Sequence, residues 1–120
     1  MKVVIAGSRK RESLTDLLTV FKAIEDSGFQ ITEVVSGMCP YGGVDFLGEL
    51  YAEWKRLGIA QFPADWVRLG KAAGPIRNQQ MLDYADAVIV VWDGKSRGSS
   101  HMLSIAKASG KPVFEARFAD

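Results

Sequence analysis

The sequence holds one cysteine, Cys39, and one histidine, His101. A lone cysteine excludes an internal disulfide, and the two residues together are too few for a Cys/His zinc site. No metal and no cofactor is expected. A catalytic triad would have only His101 to draw on, and nothing around that residue recommends the role. Charge of one sign is scarce as well, since 15 basic against 14 acidic residues leave a net +1. Binding to long nucleic acid usually rests on a large positive excess, so it is not expected here. Long apolar runs are also missing. The longest, Ala87 to Trp92, falls far short of the roughly 20 residues that span a bilayer. The apolar stretch behind Met1 is too short for a secretory signal. These absences predict a cytoplasmic protein with no membrane association.

What remains is the material for a core. Apolar residues make up 48% of the 120, and charged residues 24%. That suffices for one domain, residues 1–120, and is too little for two.

The pattern alternates along the chain. Val3 to Ala6 reads as a buried strand that exits at Gly7-Ser8-Arg9. Leu14, Leu17, Leu18, Phe21 and Ile24 recur at helical spacing, between an N-cap at Ser13 and a stop at Gly28. A second strand is predicted over Ile31 to Ser36, followed by a long glycine-bearing turn. A second helix runs from Val44 through Tyr51 and Trp54, both on its buried face, to a stop at Gly58. Ile59 to Phe62 reads as a third strand, and 63–74 as an irregular surface loop. A shorter helix is predicted from Pro75 to Met81, because proline suits the first helical position. Ala87 to Trp92 is the most strand-like segment. After it come a Gly/Ser-rich loop, a helix ending at Gly110, and a last strand over Pro112 to Glu115. Strands alternating with helices predict an α/β fold: a single Rossmann-like three-layer domain with a parallel sheet of about five strands.

In such sheets ligands bind beyond the carboxyl ends of the strands, where the strand order reverses. Four segments fall there. Gly7-Ser8-Arg9 offers close backbone approach and a guanidinium for a phosphate, or else a tight turn with a solvated basic flank. Ser36 to Asp45 brings Gly37, Gly42 and Gly43, a candidate anion nest. Asp45 opens a helix, so it either caps that helix or accepts from a ribose hydroxyl. Gly74, Arg77 and Asn78 sit at a predicted helix N-terminus with free N–H groups. An arginine in the first turn opposes the helix dipole, which tilts Arg77 toward a ligand role. Asn78 either reads a base or sugar edge or ties down the loop. Fourth, Gly94, Lys95, Ser96, Gly98, Ser99 and Ser100 have the makings of a phosphate-cradling loop. It is not a Walker A loop, and the first strand does not end in the dinucleotide fingerprint. Trp66 lies in the irregular segment with no core face to join. Packing is the simplest account of it, with a pocket cover or a subunit contact as alternatives.

At these four segments the sequence resembles the YspA-like branch of the SLOG superfamily, relatives of the Lonely Guy and DprA/Smf proteins. The carrying residues are Gly7-Ser8-Arg9, Ser36-Gly37, Gly43-Val44-Asp45, Phe62-Pro63-Ala64-Asp65-Trp66, Ala73-Gly74-Pro75-Ile76-Arg77-Asn78 and Asp93 to Ser99. The resemblance implies a Rossmann-like fold that binds a nucleotide or nucleotide-derived small molecule, often as a homo-oligomer. In the Lonely Guy relatives an arginine and a glutamate cleave the N-glycosidic bond of a nucleoside monophosphate. Arg77 matches that arginine, but Met102 stands where the glutamate is expected. The Met38-Cys39-Pro40-Tyr41 insert is a second departure, expected to reshape one pocket wall. The leading expectation is a binding module that senses or sequesters its ligand. The enzyme alternative is an N-glycosidase with Arg77 and Asp45 as its catalytic residues. A DNA-associated role, by analogy with the DprA/Smf relatives, is disfavoured by the charge balance.

Overall fold

The β-branched segments pair as one parallel sheet in a computed structural model that describes residues 1–119. The strands are β1 (Lys2–Gly7), β2 (Glu33–Ser36), β3 (Gly58–Gln61), β4 (Ala87–Trp92) and β5 (Val113–Arg117). Their order is β3-β2-β1-β4-β5, so the chain starts near the middle, runs to one edge, and returns past β1. Five helices connect them: α1 (Leu14–Ser27), α2 (Val44–Lys55), α3 (Trp66–Leu69), α4 (Ala73–Tyr84) and α5 (Arg97–Ser109).

Strand side chains alternate between the two faces of the sheet, and both faces are covered. Val3, Ile5, Ile89 and Val91 share a core with α1 and α2. Val4, Ala6, Val88 and Val90 share the other with α4 and α5. The predicted three-layer α/β architecture is therefore observed. Reversal of direction between β1 and β4 opens the sheet at their carboxyl ends.

Several element boundaries differ from the sequence reading, each for a local reason. Ser13 caps α1 in a reciprocal box with Asp16, and Gly28 closes that helix in the left-handed region, as read. Helix α2 stops earlier than Gly58: Arg56 itself adopts the left-handed cap (φ 57°), which frees Gly58 to begin β3. β2 starts at Glu33 rather than Ile31. β5 is displaced to Val113–Arg117, since Pro112 has no N–H for the ladder. The segment 63–74 is not irregular throughout. Asp65 caps α3 by accepting from the Arg68 N–H, and a 3-10 turn (Gly70–Ala72) leads directly into α4. Helix α4 consequently begins at Ala73, not Pro75, and extends to Tyr84.

Trp54 corrects a core assignment, because it is 63% exposed. It stacks on Phe21 at 5.5 Å along the outside of α1 and α2, while Tyr51 beside it is buried. Leu14 and Leu18 are exposed on the outer side of α1. Among the described residues, no helix is long and apolar enough to cross a membrane.

Candidate ligand-binding cleft

Every buried polar or charged side chain among the described residues sits at the carboxyl ends of the strands or on a helix facing them. They are Ser8, Ser36, Asp45, Asn78 and Ser99. Buried polar groups are costly unless partnered, so their gathering at one end marks a built structure. Beside them opens a cleft of about 580 Å³, within the usual range of small-molecule sites.

Ser8 serves as a clamp. Its hydroxyl accepts from the Asp93 N–H (3.0 Å) and its carbonyl from the Val44 N–H (3.0 Å). The start of α2 is thereby fixed to β1 and β4. Gly43 makes this approach possible. Its φ of 77° with ψ of −149° suits glycine alone, and a Cβ there would lie 2.4 Å from the Ser8 carbonyl oxygen.

Within the glycine turn after β2, three N–H groups already have partners. The Met38 N–H is taken by the Ser36 hydroxyl, the Cys39 N–H by Asp45, and the Gly42 N–H by the Cys39 carbonyl. Ser36 in turn donates to Glu49 at 2.5 Å. Asp45 therefore does not cap its own helix, whose N-cap Gly43 has no side-chain bond. It reaches back to hold the turn. The helix dipole would favour an ionised Asp45, but burial outweighs it. Desolvation, opposed by the Arg77 charge and the Cys39 N–H, pushes the carboxyl up to about 6. Cys39 lines the cleft with its thiol also pushed up, chiefly by burial, which keeps it a poor nucleophile.

The Gly/Ser-rich loop after β4 is closed in the same way. Asp93 accepts from the N–H groups of both Lys95 (2.8 Å) and Ser96 (3.1 Å), filling the predicted phosphate cradle with the protein's own carboxylate. Those N–H contacts hold that carboxyl below its ordinary range. Ser96 then caps α5 by accepting from the Ser99 N–H. What stays open is the first turn of α5, where the N–H groups of Arg97 and Gly98 have no helical partner.

Arg77 lies in the second turn of α4, not the first, and the open N-terminus expected around Pro75 is absent. The preceding 3-10 turn occupies it, with the Ala73 N–H donating to Gly70. The apparent clash with the helix dipole is met by polar partners. Arg77 donates through Nη1 to the Gly37 carbonyl (2.5 Å) and through Nε to Asn78 Oδ1 (3.1 Å). Asn78 donates onward to the Gly98 carbonyl (3.2 Å), tying α4 to the start of α5.

Of the residues singled out from sequence, Gly7, Arg9, Asp45, Gly74, Arg77, Asn78, Ser96, Gly98 and Ser99 line the one cleft. Ser8, Ser36, Gly37 and Gly43 lie behind its wall as the clamps just described. Gly94, Lys95 and Ser100 line a separate, shallower hollow on the other side of His101. The sequence reading missed Lys71 and His101 and carried Arg97 only within the segment from Asp93 to Ser99; all three line the cleft. Arg97 had the signal applied to Arg77: a cation at a helix N-terminus, against the dipole. His101 had none, since only the spatial approach of Asn78 gives it significance. Trp66 is half exposed at the cleft, with its ring close over Gly74. The insert supplies Cys39 to the wall, and Tyr41 lies against Arg9, 5.4 Å from ring centroid to guanidinium. Met102, in contrast, is buried in the core under α5. Among the described residues no three His, Cys, Asp or Glu side chains group as a metal site.

Charge is sorted sharply here. Among the described residues, four basic side chains (Arg9, Lys71, Arg77 and Arg97) line the cleft, against one acidic side chain, Asp45. No family model matches the chain, and no curated protein or solved structure does.

Proposed function

We propose that the cleft binds a nucleotide or nucleotide-derived small molecule and that the protein senses or sequesters it. One observation carries this reading: a near-neutral chain concentrates four cations and a helix N-terminus around one cavity at the switch point of the sheet. The phosphate belongs near Arg77, Arg97 and the N–H groups of Arg97 and Gly98. The base belongs toward Trp66, whose exposed ring offers a flat apolar face. The resemblance to the YspA-like branch of the SLOG superfamily supports the same ligand class. It also supports association of copies of the chain. Calorimetry against AMP, ADP-ribose, cyclic nucleotides and NAD-derived species tests the proposal. Binding that weakens as salt rises is expected. No heat with any of them at millimolar concentration defeats it.

A second reading, N-glycosidic hydrolysis, is favoured by one specific feature. Asp45, raised to about 6, is poised for proton transfer near neutral pH, and the Arg77 charge acts on it. In this reading water adds to the anomeric carbon and the C–N bond breaks. The bonding pair leaves with the base, which takes a proton from Asp45, and the attacking water returns one to the Asp45 carboxylate. With Met102 in the core, no other carboxyl among the described residues lines the cleft to share the work. Release of free base from AMP, lost in Asp45→Asn, supports hydrolysis. An unchanged rate in that variant removes Asp45 from the mechanism.

A further inference from the structure

The amide of Asn78 has one orientation that its neighbours permit. Arg77 Nε can only donate, and it lies 3.1 Å from Oδ1. The Gly98 carbonyl can only accept, and it lies 3.2 Å from Nδ2. A flipped amide would set donor against donor and acceptor against acceptor. The second Nδ2 hydrogen therefore points to His101 Nδ1, 3.1 Å away. A hydrogen on Nδ1 would meet that N–H head-on, so Nδ1 must keep its lone pair. The ring then carries its hydrogen on Nε2. Asn78 is buried, so its amide is held by these three partners. His101 is half-buried, and it lines both the cleft and the shallower hollow beside it.

We propose that His101 stands at the cleft wall as a neutral hydrogen-bond donor, its tautomer set by Arg77 through Asn78, and that the bound ligand turns an acceptor oxygen to Nε2. The second clause rests on the binding function proposed above, and the first does not. Asn78 is then a positioning residue. The chain Arg77–Asn78–His101 makes this part of the wall donate at both ends: guanidinium at one, imidazole N–H at the other. Such a wall suits a phosphoryl or carboxylate oxygen and rejects groups that only donate.

Because His101 is the only histidine, its ring nitrogens give a single set of signals. Long-range proton–nitrogen correlation on the labelled, ligand-free protein at pH 8 should show Nδ1 bare and Nε2 protonated. The opposite tautomer, or an average of the two, overturns the proposal. Asn78→Asp places a carboxylate oxygen against Nδ1 and should move the hydrogen there. Asn78→Ala should give a mixture without introducing charge. Wild-type tautomer in both folded variants overturns the role of Asn78. For the ligand, AMP is the probe, with adenosine as the arm that lacks the anionic oxygens. His101→Gln keeps an N–H near the Nε2 position and should hold AMP within about threefold of wild type, whereas His101→Phe should lose about tenfold. Adenosine should not distinguish the two variants. Equal AMP affinity for all three proteins overturns the ligand clause. AMP failing to bind wild type removes that clause together with the cleft's proposed function, while the free-protein spectrum still decides the tautomer.

Discussion

Arg77, on α4, donates a hydrogen bond to the carbonyl of Gly37, forty positions earlier in the chain. The contact joins the turn after β2 to α4. Arg77→Ala should cut the affinity for an anionic nucleotide about 10- to 100-fold, the scale of a lost charge-assisted hydrogen bond. Arg77→Lys should recover only part of this, since an ammonium cannot serve Gly37, Asn78 and a ligand with the same fork. Calorimetry of the three proteins checks both statements. Full affinity in the alanine variant would remove Arg77 from the site.

Asp45 predicts a pH dependence of stability. Its carboxyl is raised from 3.8 to about 6 in the folded protein, so between those values the folded state holds a proton that the unfolded state has released. Stability from this group is therefore fully present below about pH 4 and is lost as pH rises through 6. The loss is on the order of 2–3 kcal/mol. Asp45→Asn keeps an oxygen for the Cys39 N–H without the charge. It should be more stable than wild type at pH 8, by an amount that shrinks toward pH 4. Urea unfolding of both proteins at several pH values measures the difference, and parallel curves would contradict the assignment.

Gly43 and Gly28 both have positive φ, yet they should respond differently to alanine. A Cβ at Gly28 meets nothing within 4 Å, so Gly28→Ala should cost only about 1 kcal/mol of backbone strain. At Gly43 the added carbon collides with the backbone of Ser8 and Arg9. Gly43→Ala should cost at least about 3 kcal/mol, strain and displaced packing together. Comparable melting temperatures for the two variants would show that the Ser8 clamp is not rigid.

Trp66 is predicted to contact the base. Trp66→Ala should weaken AMP binding about 5- to 50-fold, the range of one aromatic stacking contact, and leave ribose 5-phosphate binding unchanged. Trp66→Phe should lie between. Since the ring is half exposed, fold stability should shift little. An equal loss for both ligands would mean that Trp66 acts through the shape of the cleft rather than on the base.

Much of the site was legible because its residues had to sit at strand ends. Once β1 and β4 were recognised by their β-branched runs, parallel topology placed the segments that follow them at one edge. The functions of individual groups were harder to read. Backbone N–H groups in a glycine-rich turn look alike in sequence whether a ligand or a nearby carboxylate fills them. In the turn after β2, Ser36, Asp45 and the Cys39 carbonyl take three of the N–H groups, and in the loop after β4 Asp93 takes two.

The amino-acid pattern alone determined the alternation of strands and helices, the parallel sheet, and the edge where polar groups gather. These follow from local periodicity and from the burial that every β-branched run requires. Only the folded arrangement decided that Asp45 holds a turn, that Trp54 faces outward, that Arg97 and Lys71 join the cleft, and that His101 meets Asn78. Those outcomes depend on distances between segments remote in sequence, and burial and hydrogen bonding act through space.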